Sequence, residues 1–247
     1  MSRSNPTDNL ANPCTRWFEW HGAKDGDGIR YYNKETKENV KLGDKFAFLL
    51  LDELACVKGW HEASESGIFS NEVRDTRNET LVVKSFKGGE LAVGFYAQIR
   101  DRAAAHGGHF VASLYIAYKD GDEYKLGNLQ LKGAALSAWM DFKKAHRKDI
   151  YEQAIAIKGH TEGKKGSVIF ISPVFAVAPV SEEANSIAKA LDAELQAYLE
   201  GYFKKPRTDA AQVQREAESD IPPQNGNSGF DDMPDDRPWE DEEEVAF

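Results

Sequence analysis

His109-Phe-Val-Ala-Ser-Leu-Tyr-Ile-Ala-Tyr-Lys119, with the Asp120-Gly-Asp122 that follows it and the run Glu123 to Leu131, decides the fold class. In an extended chain, Val111, Ser113, Tyr115 and Ala117 fall on one side. Phe110, Ala112, Leu114, Ile116 and Tyr118 fall on the other, the period of a strand. Asp-Gly-Asp has the composition of a tight turn, so the whole stretch reads as a β-hairpin.

Working outward, Lys45 to Cys56 is a strongly apolar strand, and Arg30 to Leu42 reads as two short runs joined by a polar turn. Glu79 to Phe86 is a shorter strand. Two late strands, Ala154 to Lys158 and Ser167 to Val177, flank Gly159-His-Thr-Glu-Gly-Lys-Lys-Gly166. That loop lacks the glycine-to-lysine spacing of a phosphate loop and no helical pattern follows it, so it reads as a basic hairpin tip. Gly94 to Ala105 reads as a short helix closed by His106-Gly107-Gly108. Ala134 to Arg147 is a second helix, with apolar positions at Leu136, Trp139, Met140 and Phe142 and bases at its end. Ser181 to Phe203 is a third, with a serine cap, acids in its first turn and a stripe of Ile187, Leu191, Leu195, Tyr198 and Leu199.

Strand, hairpin, strand, short helix and hairpin is the element order of an OB-type barrel. The expectation is a mainly β chain with added helices: a five-stranded OB-fold-type barrel with an extra hairpin, a C-terminal helix and a disordered acidic tail. Sandwich folds stay open, because element order does not set strand pairing. Residues 1–14 read as an irregular arm, 15–203 as the folded domain and 204–247 as the tail.

The 247 residues carry 31 bases and 41 acids, a net charge of −10. Asp220 to Phe247 holds ten acids against Arg237 alone, so removing that stretch leaves 30 bases and 31 acids, a near-neutral body. Such an asymmetry marks an interaction tail. Its prolines and glycines cannot build a packed core. Its tip, Trp239-Glu-Asp-Glu-Glu-Glu-Val-Ala-Phe247, sets an aromatic beside the chain's carboxylate after a run of acids, a compact docking element. Trp239, Asp241, Glu242, Glu243, Glu244 and Phe247 are its candidate partner-binding residues.

No apolar run approaches the roughly 20 residues of a membrane span. Met1-Ser-Arg-Ser-Asn-Pro6 lacks the apolar segment of a secretory signal. Cys14 and Cys56 make neither a disulfide framework nor a zinc site, which points to a cytosolic chain with two reduced thiols.

Catalytic chemistry finds little support. His106-x-x-His109 sits on a turn without an acid or cysteine beside it, and no nucleophile sits in a recognisable elbow. Asp52-Glu53 is the sharpest enzymatic alternative, as the site of a metal-dependent nuclease. Adjacent carboxylates on a strand face opposite ways, so without a bulge they cannot share a cation. Pairing with Lys58, or solvation at a strand end, is the plainer reading. No metal or cofactor is expected.

Binding chemistry is better represented. A surface that holds single strands without reading sequence needs cations for phosphates and flat rings for bases. Lys58 precedes Trp60, Phe69 comes shortly before Arg74 and Arg77, Lys84 and Lys87 bracket Phe86, and Tyr115 shares a hairpin arm with Lys119. Trp60 and Phe69 lie in a polar, loop-like segment, Gly59 to Asn71, where no alternation turns them inward. Of Tyr31 and Tyr32, on opposite sides of their hairpin, one is accessible. The candidate DNA-binding residues are Tyr31, Lys58, Trp60, Phe69, Arg74, Arg77, Lys84, Phe86, Tyr115 and Lys119.

Tyr31-Tyr-Asn-Lys-Glu-Thr-Lys-Glu-Asn39, Ser70-Asn-Glu-Val-Arg-Asp75, Ile116-Ala-Tyr-Lys119 and Asn128-Leu-Gln-Leu-Lys-Gly-Ala-Ala135 resemble a group of tailed-phage single-stranded DNA-binding proteins. The resemblance covers most of residues 12–180 and the acidic tip. It implies an OB-fold core, cofactor-free DNA binding, a role in replication or recombination and residence in the cytoplasm of an infected bacterium. Replication or recombination proteins would be recruited through the C-terminal tip. Bacterial single-strand binders usually close on Ile-Pro-Phe after an Asp-rich run; this chain closes on Val-Ala-Phe and is richer in glutamate. Oligomeric state, monomer or dimer, stays open. The competing readings are the nuclease and an interaction protein whose tail mimics DNA.

Overall fold

In the computed structural model, which describes residues 11–204, one long strand organises the rest. β4 (Lys45–His61) has β8 (Gly108–Asp120) along one edge, antiparallel through residues 48–59. Its other edge is divided. β10 (Ala154–Lys165) takes residues 45–49, Val73 bridges to Ala55, and β5 (Ser66–Ser70) takes residues 59–61. Two sub-sheets therefore grow from the same strand.

One sub-sheet continues from β8 to β9 (Glu123–Leu131), then in parallel to β1 (Arg16–His21), and on to β2 (Gly28–Asn33) and β3 (Glu38–Gly43). β10 pairs with β11 (Val168–Ala178), which comes back to the end of β1. There Ala23 bridges Phe170, the Ile171 N–H donates to the Gly22 carbonyl at 2.9 Å, and Trp20 Nε1–H donates to the Ile171 carbonyl at 3.0 Å. The sheet thus curls on itself, with that last joint made by one bridge rather than a ladder. The other sub-sheet runs β5, β6 (Leu81–Ser85), β7 (Gly89–Gly94).

The concave side is filled by one contiguous apolar core that includes Phe18, Phe48, Leu50, Ile68, Val83, Leu114, Leu129 and Ile155. α1 (Tyr96–Ala105) brings Tyr96 and Ile99 into it, with Tyr96 4.6 Å from Phe110. α2 (Gly133–Ala145) contributes Trp139, whose ring meets Phe175 edge-on at 5.3 Å. α3 (Glu182–Lys204) lies on the opposite, convex side. Ala184 and Ala188 rest on Leu49 and Ala117, and Leu195, Tyr198 and Leu199 rest on Leu54, Tyr115 and Leu126.

Local signals match many of these elements. The Ser181 hydroxyl accepts the Ala184 N–H at 3.1 Å, as a helix cap does. Gly107, at φ +87°, ends α1 in the left-handed region, and its N–H donates to the Ala104 carbonyl at 2.9 Å. It also packs tightly: a Cβ on Gly59 would collide with the Gly107 carbonyl oxygen. That close approach sets the end of β4 against the turn before β8. The Asp120 hairpin closes with Gly121 at φ +64° and Asp120 opposite Glu123.

The mainly β class with added helices holds, but the strand inventory differs from five plus a hairpin: the described residues contain eleven strands in one mixed sheet. The segment Gly59 to Asn71, expected as a loop, is the end of β4, a single 3-10 turn (Glu62–Ser64) and β5. β5 and β7 are five and six residues long and rich in glycine and serine. Their strand state comes from pairing, not from a pattern of their own. The hairpin tip read at Gly159 to Gly166 is an extension of β10 itself, turning at Gly166. No helix among the described residues is long and apolar enough to cross a membrane.

Candidate nucleic-acid interface

β4 carries its alternation past the point where α3 stops covering it. Leu54 lies under Leu195 and Tyr198, while Lys58 and Trp60, further along the same side, are half-buried with no helix over them among the described residues. The register then lines up the neighbouring strands. Trp60 stands opposite Gly67, Phe69 opposite Lys84, and Phe86 follows Lys84 by two. In a sheet, cross-strand partners share a side, as do residues two apart. Lys58, Trp60, Phe69, Lys84 and Phe86 therefore occupy one side of this sub-sheet. His109, opposite Lys58, joins them, as do Val82 and Val93, which pair with each other. The reverse side holds Ile68, Leu81, Val83 and Ala92, all in the core.

This open side is apolar and basic together. Val93 is 44% exposed, Trp60 and Phe86 are half-buried, and Lys58 and Lys84 make no ion pair among the described residues. Gly67 across from Trp60 has no side chain to compete for the space beside the indole. The rim is held by a hydroxyl network: His61 Nδ1 is 2.7 Å from Ser64 Oγ, which is 2.8 Å from Ser66 Oγ and 3.3 Å from Ser85 Oγ. Ser85 Oγ accepts the Gly88 N–H at 2.8 Å and Ser66 Oγ the Lys87 N–H at 3.1 Å. The turn joining β6 to β7, and Phe86 with it, is thereby fastened.

Not every residue expected at the interface is available there. Phe69 is 1% exposed, because the Phe86 ring lies over it with centroids 4.6 Å apart. It supports the exposed ring and is not a surface group. Tyr115 is 2% exposed, since β8 is covered by the core on one side and α3 on the other. Its hydroxyl donates to Glu72 Oε2 at 2.6 Å; burial, then the Glu72 carboxylate, pushes its pKa well above the ordinary tyrosine value. Both are corrections to the sequence expectation.

Arg74 is exposed but engaged. Its Nη2 lies 2.6 Å from Asp52 Oδ2 and 3.0 Å from Gln196 Oε1, and its guanidinium sits 5.4 Å from the Phe203 ring centroid. It fastens α3 to the segment after β5. Arg77 is exposed on the same segment. Tyr31 and Lys119 lie at the other end of β8. There the Arg16 guanidinium is 4.6 Å from the Tyr31 ring centroid and 2.8 Å from Asp120, which also takes Lys125 at 2.9 Å. Arg16 and Val93 were not singled out in the sequence, and His109 only as half of a weak metal motif; strand register alone brings them to these places. The tip residues Trp239, Asp241, Glu242, Glu243, Glu244 and Phe247 lie outside the described residues.

The acidic pair of β4 does not form a cation site. A bulge falls between Leu50 and Asp52, yet Asp52 turns to Arg74 and Gln196 while Glu53 turns to Lys143 at 3.0 Å. Their partners are Arg74 and Lys143, neither Lys58 nor solvent at a strand end, the two alternatives the sequence offered. Among the described residues no group of three His, Cys, Asp or Glu side chains is placed to hold a metal ion. His106 meets His61 edge-on at 5.4 Å. No protein family, curated protein or solved structure matches this chain.

Proposed function

We propose that the chain binds single-stranded DNA without reading its sequence, and that the open side of the β4–β5–β6–β7 sheet is where the strand lies. One observation carries this reading: lysines interleaved with half-exposed aromatic rings on a single sheet face, unpaired and uncovered among the described residues. Lys58 and Lys84 neutralise phosphates; Trp60 and Phe86 offer stacking platforms that any base can use. The curled sheet is read as an elaborated OB-type barrel, and the biological setting as phage DNA replication or recombination in the cytoplasm of an infected bacterium, with the residues from Trp239 to Phe247 recruiting partner proteins.

The end of α3 favours a second role for the tail. The Tyr202 hydroxyl accepts the Glu72 N–H at 2.7 Å and Phe203 packs near Arg74, so α3 ends beside the segment that joins β5 to β6. The sixteen residues from there to Asp220 reach at most ~55 Å when extended. Ten acids on such a tether compete with DNA for the lysines of the open face at high effective concentration.

A fluorescence titration with single-stranded, duplex and RNA oligonucleotides across a salt series tests the reading. Affinity falls steeply with salt, depends little on base sequence, and rises at low salt when residues 220–247 are removed. Preference for duplex, or cleavage of the probe in Mg²⁺ that Asp52→Ala abolishes, overturns it. Unchanged affinity on tail removal overturns the competition alone.

A further inference from the structure

The far half of β4 carries a shallow groove that has no part in the face described above. Three consecutive cross-strand pairs line it: Lys45 with Lys158, Phe46 with Ile157 and Ala47 with Ala156. Lys45 and Lys158 are both exposed, and neither has a hydrogen-bond or ion-pair partner among the described residues. Like charges set directly opposite each other on paired strands repel, unless an anion lies between them. The neighbouring Asp44 turns to His160 at 3.0 Å and makes no ion pair with either lysine among the described residues. The two alanines leave the floor of the groove low, and half-buried Phe46 packs against Phe18 at 5.0 Å. A basic pair over a low apolar floor fits the phosphodiester backbone of an extended strand better than a compact ion, which would leave the apolar part uncovered.

We propose that this groove is a second phosphate-binding station for the same single strand. The inference rests on the reading of the open face as the first station. Lys45 and Lys58 are thirteen residues apart on β4, about 40 Å along the strand at ~3.3 Å per residue. A short oligonucleotide cannot occupy both stations; a long one can. Length dependence is therefore the signature.

The double variant Lys45→Ala/Lys158→Ala is titrated with an oligonucleotide of about five nucleotides, near the lower end of the ~4–16 found for single OB modules, and one of about thirty, well beyond the upper end. Trp60→Ala is run alongside. The double variant keeps wild-type affinity for the short probe, which also shows that it is folded. For the long probe it loses affinity on the order of tenfold at low salt, and the slope of log K against log salt flattens by about 1.4, two phosphate contacts at ~0.7 each. Trp60→Ala weakens both probes. Unchanged long-probe affinity and slope overturn the second station and leave the first standing. An equal loss on both lengths also overturns it, because the lysines then act at one common site. Failure of the wild-type protein to bind either probe overturns the open-face reading and this inference with it.

Discussion

The convex side of β4 is treated in two ways along one strand. Around Leu49 and Leu54 it lies beneath α3, and around Lys58 and Trp60 it faces outward. The backbone is the same and so is the side of the sheet; what differs is composition and cover. The covered half places leucines under an amphipathic helix whose Leu195 is fully buried and whose polar contacts, Gln196 to Asp52 and Tyr202 to Glu72, are all made. The open half interrupts the apolar run with lysine and rings that no described helix covers. Apolar area buried once in folding cannot also serve binding, so a chain that needs a sticky surface must stop its covering helix short. The Arg74 cluster marks where it stops: beyond Phe203 and Arg74, no described helix covers the sheet.

The sharpest way to break that contrast is to truncate a buried side chain in each half. Leu195→Ala, on the buried face of α3, lowers folding stability by about 2–5 kcal/mol in denaturant titrations, and Phe69→Ala, under Phe86, by about 3–5 kcal/mol. Leu195→Ala leaves the affinity for single strands unchanged at temperatures where it remains folded. Were Phe69→Ala to leave stability intact and abolish binding, Phe69 would be the exposed platform and the assignment of the two rings would be reversed.

Trp60→Ala reports the opposite phenotype. It costs about 1–3 kcal/mol of single-strand affinity, the worth of one stacked base, with little change in the unfolding midpoint. Equal loss of stability and affinity would place the indole in the core. A smaller effect separates charge from stacking: Lys58→Ala or Lys84→Ala flattens the salt slope by about 0.7 each, whereas Phe86→Leu leaves the slope unaltered while weakening binding.

The smallest effect lies at the far end of β8. The Lys125 ammonium, then the Arg16 guanidinium, hold the Asp120 carboxyl below the usual aspartate range. A depressed carboxyl contributes stability that is complete above its ordinary pKa and is lost as pH falls through the lower folded value. Asp120→Asn therefore removes a small part of the acid sensitivity between about pH 4 and the folded pKa, with binding at neutral pH unchanged. A pH-dependent unfolding series on both proteins checks this.

Most elements could be read locally. The alternation from Phe110 to Tyr118, the serine cap of α3 and the glycine stop of α1 are signals carried by neighbouring residues, and each appears where expected. β5 and β7 were illegible because residues such as Ser66-Gly67 and Gly89-Glu90 have little strand preference until a partner supplies the ladder. The candidate site was half legible. Lys58, Trp60, Lys84 and Phe86 could be picked from their composition, but nothing in the sequence states that Trp60 and Phe86 lie on the same side of one sheet.

By itself the sequence determined the mainly β class, the three helices and the separation of a near-neutral body from an acidic extension, because periodicity, caps and charge are properties of adjacent residues. Only the tertiary structure decided which rings and cations are available. Phe69 and Phe86 are the same residue type on the same sub-sheet, yet one is sealed by the other. Arg74 and Lys58 are both cations, yet Arg74 is held by Asp52. Exposure and pairing follow from strand register and from where α3 ends, and both are set by contacts between residues far apart in the chain.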